Sequence, residues 1–347
     1  MAILGFRGNE ARPATAGSEK GQIGIPNAGL EFPPLLVSPK DVRAVYLTAA
    51  AASSMSWVDR TIELVKSTRL NAIVINVKDS DGIYLGPGMK KVVKKFREEG
   101  IYPIARMVVF QDNALAKAHP ELALQDVAGG LWAGNGGYFW LDPASKEVWD
   151  KTADVAERAL DEGFAEVNFD YVRFPDGNVE RIVFPVYDKE NRLKTDAMGE
   201  FFKYLTEKIR KERPNAVLSV DLFADSFIRD NGLGIGQRVG DAASYFDVVS
   251  PMVYPSHYAP GNFGFPNPAT EPYQVVFRTL ESGKIFLVRA SSTAIVRPWI
   301  QDFDMGAVYD AAMVKEEMRA INDAGYGDTW MDWNPRNVYD PAKFLKN

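Results

Sequence analysis

The chain has 347 residues, of which 46% are hydrophobic and 25% charged, with a formal net charge of −6 and no Lys/Arg block. That length fits two domains or one large α/β barrel. The composition excludes disorder, collagen and coiled coil, and the acidic balance argues against a nucleic-acid partner or a basic membrane-surface patch. Apolar runs such as 72–77 fall far short of the roughly 20 residues of a membrane span. Without cysteine there is no disulfide, zinc-thiolate site or Cys nucleophile, and two histidines exclude a multi-His metal site. No metal or other cofactor is expected, and chemistry must lean on the 46 Asp and Glu.

Residues 1–41, rich in Gly, Pro, Ala and Ser without a period, are expected to be a flexible extension or linker ahead of a folded unit over 42–347. No signal peptide opens the chain. An extracellular or cell-envelope location is nonetheless expected, with an export signal or anchor removed upstream. From Val42 onward short apolar runs alternate with amphipathic segments, which predicts βα units. Strands are expected near 42–48, 70–78, 101–110, 164–172, 216–224, 246–254, 294–301 and 327–333. Helices are expected near 56–67, 88–98, 144–162, 195–212, 235–245, 271–282 and 309–324. Strict alternation predicts a single (β/α)8 barrel, an α/β fold. A doubly wound sheet is the alternative, but Gly134-Asn135-Gly136-Gly137 lacks the third glycine and the strand-then-helix frame of a dinucleotide fingerprint. Excursions at 111–143 and 176–194 would follow the third and fourth strands and lie over the catalytic face.

In such a barrel the site is built at the C-terminal ends of the strands. Those ends carry Asp79 (second strand), Arg106 (third), Asp170, Tyr171 and Arg173 (fourth), and Asp221 and Asp225 (fifth). Tyr254 and His257 end the sixth, Gln301, Asp302 and Asp304 the seventh, and Asp332 and Trp333 the eighth. Carboxylates, amides and aromatic rings on one rim suit a sugar, whose faces stack on rings and whose hydroxyls need polar partners. Alternation puts Glu166, Asn168 and Asp170 on one face of the fourth strand, pointing into the lumen. Glu166 reads as a buried ion pair with Arg106 or Arg173, whereas Asp170, at the mouth, reads as functional. Asp221 and Asp225 share a face but stand about 13 Å apart along the strand direction, so Asp221 is expected at the strand end and Asp225 in the loop beyond. Asp170 and Asp221, on adjacent strands, could meet the carboxyl spacing of either a retaining or an inverting glycosidase. The run Asp79-Ser80-Asp81-Gly82 lacks the downstream Glu of an EF-hand loop and reads as a capped turn, with Asp79 still free to bind a hydroxyl. His257 suits a rim hydrogen bond or a substrate contact, and His119 a structural role.

The ordered stretches ARMVVFQD, GYFWLDP, GFAEVNFDYVRFP, SPMVYPSHY and RPWIQDF resemble the bacterial putative glycoside hydrolase domain family, itself distantly like the α-galactosidase and α-amylase barrels. The resemblance covers about 42–340. It implies that Asp170 is the nucleophile and that Asp221 in VDLFAD is the general acid/base; Asp225 would serve as the substitute acid. Val172 stands where a substrate-assisted chitinase would need a carboxylate. The expected function is hydrolysis of a glycosidic bond in a polysaccharide or oligosaccharide. Arg106 and Tyr254 would orient the carboxyls, and Asp79, Gln301 and Trp333 would hold the sugar, with Arg173 and His257 also on it. A non-catalytic carbohydrate-binding barrel of the cell envelope is the alternative. An aldolase or isomerase is disfavoured because no glycine-rich phosphate loop follows the last strands.

Overall fold

A computed structural model describes residues 38–187 and 191–345, so the expected extension lies, up to residue 37, outside the described residues. Eight parallel strands form the closed (β/α)8 barrel that the alternation predicts. Arg43–Leu47, Ala72–Lys78, Tyr102–Val108, Glu166–Asp170, Val217–Phe223 and Val248–Met252 are the first six. The seventh comes in two pieces, Ile295–Val296 and Trp299–Gln301, and the eighth is Trp330–Trp333. Trp330 pairs with Arg43, and Trp299 pairs with both Met252 and Met331, which closes the ring. All seven residues of AIVINVK in the second strand are buried, as they must be when helices cover one face and the lumen the other.

The outer helices include Met55–Ser67, Pro87–Glu98, Lys146–Asp161, Lys194–Glu212, Pro272–Arg289 and Ala311–Ile321. Pro87 and Pro272 stand in their first turns, where a missing N–H costs no bond. The helix expected to end at 282 continues to Arg289, because Gly283 serves packing rather than termination. A Cβ there would lie 2.1 Å from Phe227 Cδ1. The helix expected over 235–245 shrinks to Val239–Ala243. Between the pieces of the seventh strand stands Pro298, which has no N–H to give the ladder. The two excursions meet: Gln125–Asp126 pairs antiparallel with Ile182–Val183, and Arg181 grips Asp126 with contacts of 2.7 and 3.0 Å.

Deep in the lumen Glu166 pairs with Arg297 at 2.7 Å, and Ser219 Oγ donates to the same carboxylate at 2.6 Å. This corrects the expected partners. Arg106 stands opposite Asn168, two residues above Glu166, and Arg173 lies beyond the strand end, whereas Arg297 reaches Glu166 across the barrel. A second polar group sits outside the lumen, where Asp332 of the eighth strand faces Asp302, Glu317 and Lys343. Burial, together with the charges of Asp302 and Glu317, pushes the Asp332 carboxyl well up, and burial likewise raises Glu317. Asp302 is pushed up to about 6 by burial, against the pull of its hydrogen bond from Lys343.

Two expectations follow. Arg297→Met leaves Glu166 buried without its counter-ion and should cost about 3–5 kcal/mol in urea unfolding. A loss under about 1 kcal/mol would show that the pair is dispensable. Because the Asp302 pKa is higher folded than unfolded, its proton favours the fold at low pH, and that stabilisation is lost as pH rises through about 6. Asp302→Asn should therefore gain on the wild type by about 1–2 kcal/mol near pH 7, the gain shrinking to nothing near pH 4. A pH-independent difference between the two melting curves would contradict it.

Candidate active site

Asp170 is the last residue of the fourth strand, and Asp221 faces it from the fifth, one step past the Phe169–Val220 pair. Both line a cavity of about 560 Å³ at the C-terminal mouth of the barrel. Arg106 joins them. Its guanidinium donates to Asp170 Oδ2 and, at 2.7 Å, to Asn76 Oδ1, while its Nε lies 4.0 Å from Asp221 Oδ2. The other Asp170 oxygen accepts the Tyr171 backbone N–H at 2.6 Å. Tyr171 holds that position with a φ of 55°, a left-handed conformation costing about 1–3 kcal/mol in a bulky residue.

Asp221 is held differently. Its Oδ1 accepts two N–H groups, from Asn168 Nδ2 and Trp299 Nε1, each at 2.8 Å. Its Oδ2 is buried and makes no hydrogen bond. Burial and then the charge of Asp170 push its pKa well above the ordinary carboxylate value, against the pull of Arg106 and the two donors. Two acceptor bonds on one oxygen and none on the other suit a neutral carboxyl whose proton sits on Oδ2. One ion-paired carboxyl and one whose pKa is pushed up by burial therefore stand side by side.

Most other predicted residues surround this pair. The strand ends at Phe223, and residues 224–227 form a 3-10 turn, so Asp225 folds back to line the same cavity. Arg173 lines it too, its guanidinium over the rings of Phe223 at 4.7 Å and Trp140 at 4.9 Å. Its Nη1 donates to Phe174 O at 3.0 Å and to Asp176 at 3.1 Å. Tyr254 and Trp333 pack at 5.2 Å between centroids and form one wall, and burial lowers the pKa of neighbouring His257, which keeps the imidazole neutral. Asp79 lies elsewhere, on a neighbouring cavity, where both its oxygens accept the Tyr84 hydroxyl at 2.8 Å.

Gln301 is a correction. It is wholly buried, and its amide is spent on the backbone: Oε1 accepts from Ser256 N at 3.1 Å and Nε2 donates to Phe303 O at 2.9 Å. It shapes the rim and has no free group for a sugar. The two donors to Asp221 are what sequence reasoning left without a role. Alternation does place Asn168 in the lumen, but nothing in the sequence says that Trp299 turns its N–H to the fifth strand. Among the described residues no group of three His, Asp or Glu is arranged to hold a metal ion, and no helix is long and apolar enough to cross a membrane.

Residues 44–339 match a family described as a putative glycosyl hydrolase domain, and no curated protein matches the chain. A hypothetical protein from Ruminiclostridium thermocellum ATCC 27405 is 32% identical over 51% of this chain and 96% of its own, with a TM-score of 0.46. The Thermus thermophilus α-galactosidase TtGalA, solved with stachyose, is 14% identical over 89% of this chain, with a TM-score of 0.56. The exo-β-1,4-mannosidase Op5Man5 from Opitutaceae bacterium strain TAV5 is 16% identical over 84%, with a TM-score of 0.52. The chain spans 65% and 51% of the lengths of these last two, and at such identities the likeness is one of fold. By the match across 44–339, the chain belongs to the putative glycosyl hydrolase domain family, and its enzyme class is that of a glycosidase.

Proposed function

We propose that the protein hydrolyses a glycosidic bond of a polysaccharide or oligosaccharide, with Asp170 as nucleophile and Asp221 as general acid/base. The observation that carries this reading is the unlike pair: Asp170 ion-paired to Arg106, Asp221 pushed up with an unbonded Oδ2. An Asp170 oxygen attacks the anomeric carbon while Asp221 Oδ2–H gives its proton to the departing oxygen, so the glycosidic bond breaks as the glycosyl–enzyme bond forms. The Asp221 carboxylate then takes a proton from water, whose oxygen displaces Asp170 from the same carbon. Arg106 holds the nucleophile in place. Tyr254 and Trp333 offer rings to the sugar, and Arg173 and His257 offer polar contacts. Asp225, more open to solvent than Asp221, is the substitute acid.

Asp170→Asn should abolish release of reducing ends from a panel of polysaccharides while leaving the melting temperature near that of the wild type. Full activity in that variant would refute the nucleophile. Asp221→Asn should lose about 10²–10⁴-fold on unactivated glycosides and far less on a dinitrophenyl glycoside, whose leaving group needs no proton. If Asp225→Asn shows that split and Asp221→Asn does not, the acid is Asp225. Sugar binding by the wild type without any turnover would instead favour a binding barrel.

The Trp299 hydrogen bond lowers the Asp221 pKa, so Trp299→Phe should raise it. The acid form then survives to higher pH, and the basic limb of kcat/KM should move up. An unmoved basic limb would separate Asp221 from the acid step.

A further inference from the structure

A second cavity, of about 970 Å³, opens beside the first on the same rim, and Arg106 and Tyr171 line both. The two spaces therefore meet where the nucleophile and its guanidinium partner stand. The second is lined from the first strand by Tyr46, from the second strand and the turn beyond it by Asn76, Asp79 and Tyr84, and from the first excursion by Tyr138. Each space is large enough for a small ligand. Together they exceed what a single terminal sugar requires.

The chemistry of the second space matches that of the first. Tyr84 and Tyr138 are each 38% exposed, large rings left open to solvent on one rim, and exposed Met55 lines the same cavity. Exposed apolar groups gathered in one place mark a binding surface rather than a fold requirement. The Tyr84 ring is fixed by its hydroxyl, which donates to the Asp79 carboxylate, so it is presented with little rotamer freedom to lose. Tyr171, strained at the junction, packs against Trp140 at 6.0 Å and continues the aromatic surface toward Tyr254 and Trp333. Rings alternating with carboxylates and amides form the surface that a run of pyranose units needs.

We propose that the second cavity is a further sugar-binding site of the same cleft and takes the continuing chain of a polysaccharide. Sugars are then held on both sides of Asp170, and the enzyme cuts internal linkages instead of trimming chain ends. This rests on Asp170 being the catalytic carboxylate.

The test uses the full chain. The Asp170→Asn enzyme is titrated calorimetrically with gluco-, manno- and xylo-oligosaccharides of increasing length, and wild type is followed by viscosity and reducing ends on glucan, galactomannan and xylan. The inference expects at least one series to gain tenfold or more in affinity beyond the disaccharide. It also expects Tyr84→Ala and Tyr138→Ala to erase that gain, and viscosity to fall ahead of reducing-end release. Affinity that stops rising after the first sugar, no binding at any length, or release of single sugars without loss of viscosity would overturn it. Length-dependent binding without wild-type turnover would leave the cleft standing and remove the catalytic reading.

Discussion

One guanidinium organises the mouth of this barrel. Arg106 rises from the third strand, binds Asn76 on the second and Asp170 on the fourth, and sits 4.0 Å from Asp221 on the fifth. A carboxylate as enclosed as Asp170 needs a counter-ion and hydrogen bonds to stay charged, because low-dielectric surroundings penalise a bare ion. Arg106 serves that need from one side and the Tyr171 N–H from the other. With Arg106 bonded to Asp170, Asp221 faces both desolvation and a neighbouring negative charge, and both push its pKa up. Two aspartates of the same chemistry are thus held differently, one by an arginine and the other by burial with two N–H donors.

The barrel handles buried charge in three ways. Glu166 and Arg297 neutralise each other in the lumen, with Ser219 assisting. Asp332 and Glu317, crowded with Asp302 behind the last strand near Lys343, are pushed well up by burial, and Asp302 is pushed up to about 6. At the mouth a paired carboxylate stands next to one whose pKa is pushed up. The first two arrangements are buried, and the third opens on a cavity.

The barrel was legible because period and alternation report directly on which faces are covered. The same rule correctly placed Asn168 and Asp170 in the lumen and Asp170 at its mouth. It erred where something other than period decides the outcome. Glu166 was given the wrong partner because the cation came from across the barrel, a contact that sequence distance cannot reveal. Gln301 was placed on the rim as a sugar ligand, yet local backbone groups consume its amide. Asp225 was expected in the loop beyond the fifth strand, and that loop turns back at once so that Asp225 lines the same cavity as Asp221. Tyr84 and Tyr138 come together through loops, which carry no periodic signal at all.

Closure of the ring has a consequence for how the molecule is made. The first strand finds its outer partner in Trp330–Trp333, so nearly three hundred residues separate Arg43 from its neighbour Trp330. As the polypeptide leaves the ribosome, the edge of Arg43–Leu47 stays uncovered until that distant segment emerges. An unpaired apolar edge is adhesive, and contacts this remote in sequence form slowly. The nascent protein thus passes through a long interval as an open sheet, in which escape from self-association depends on how quickly the later strands follow.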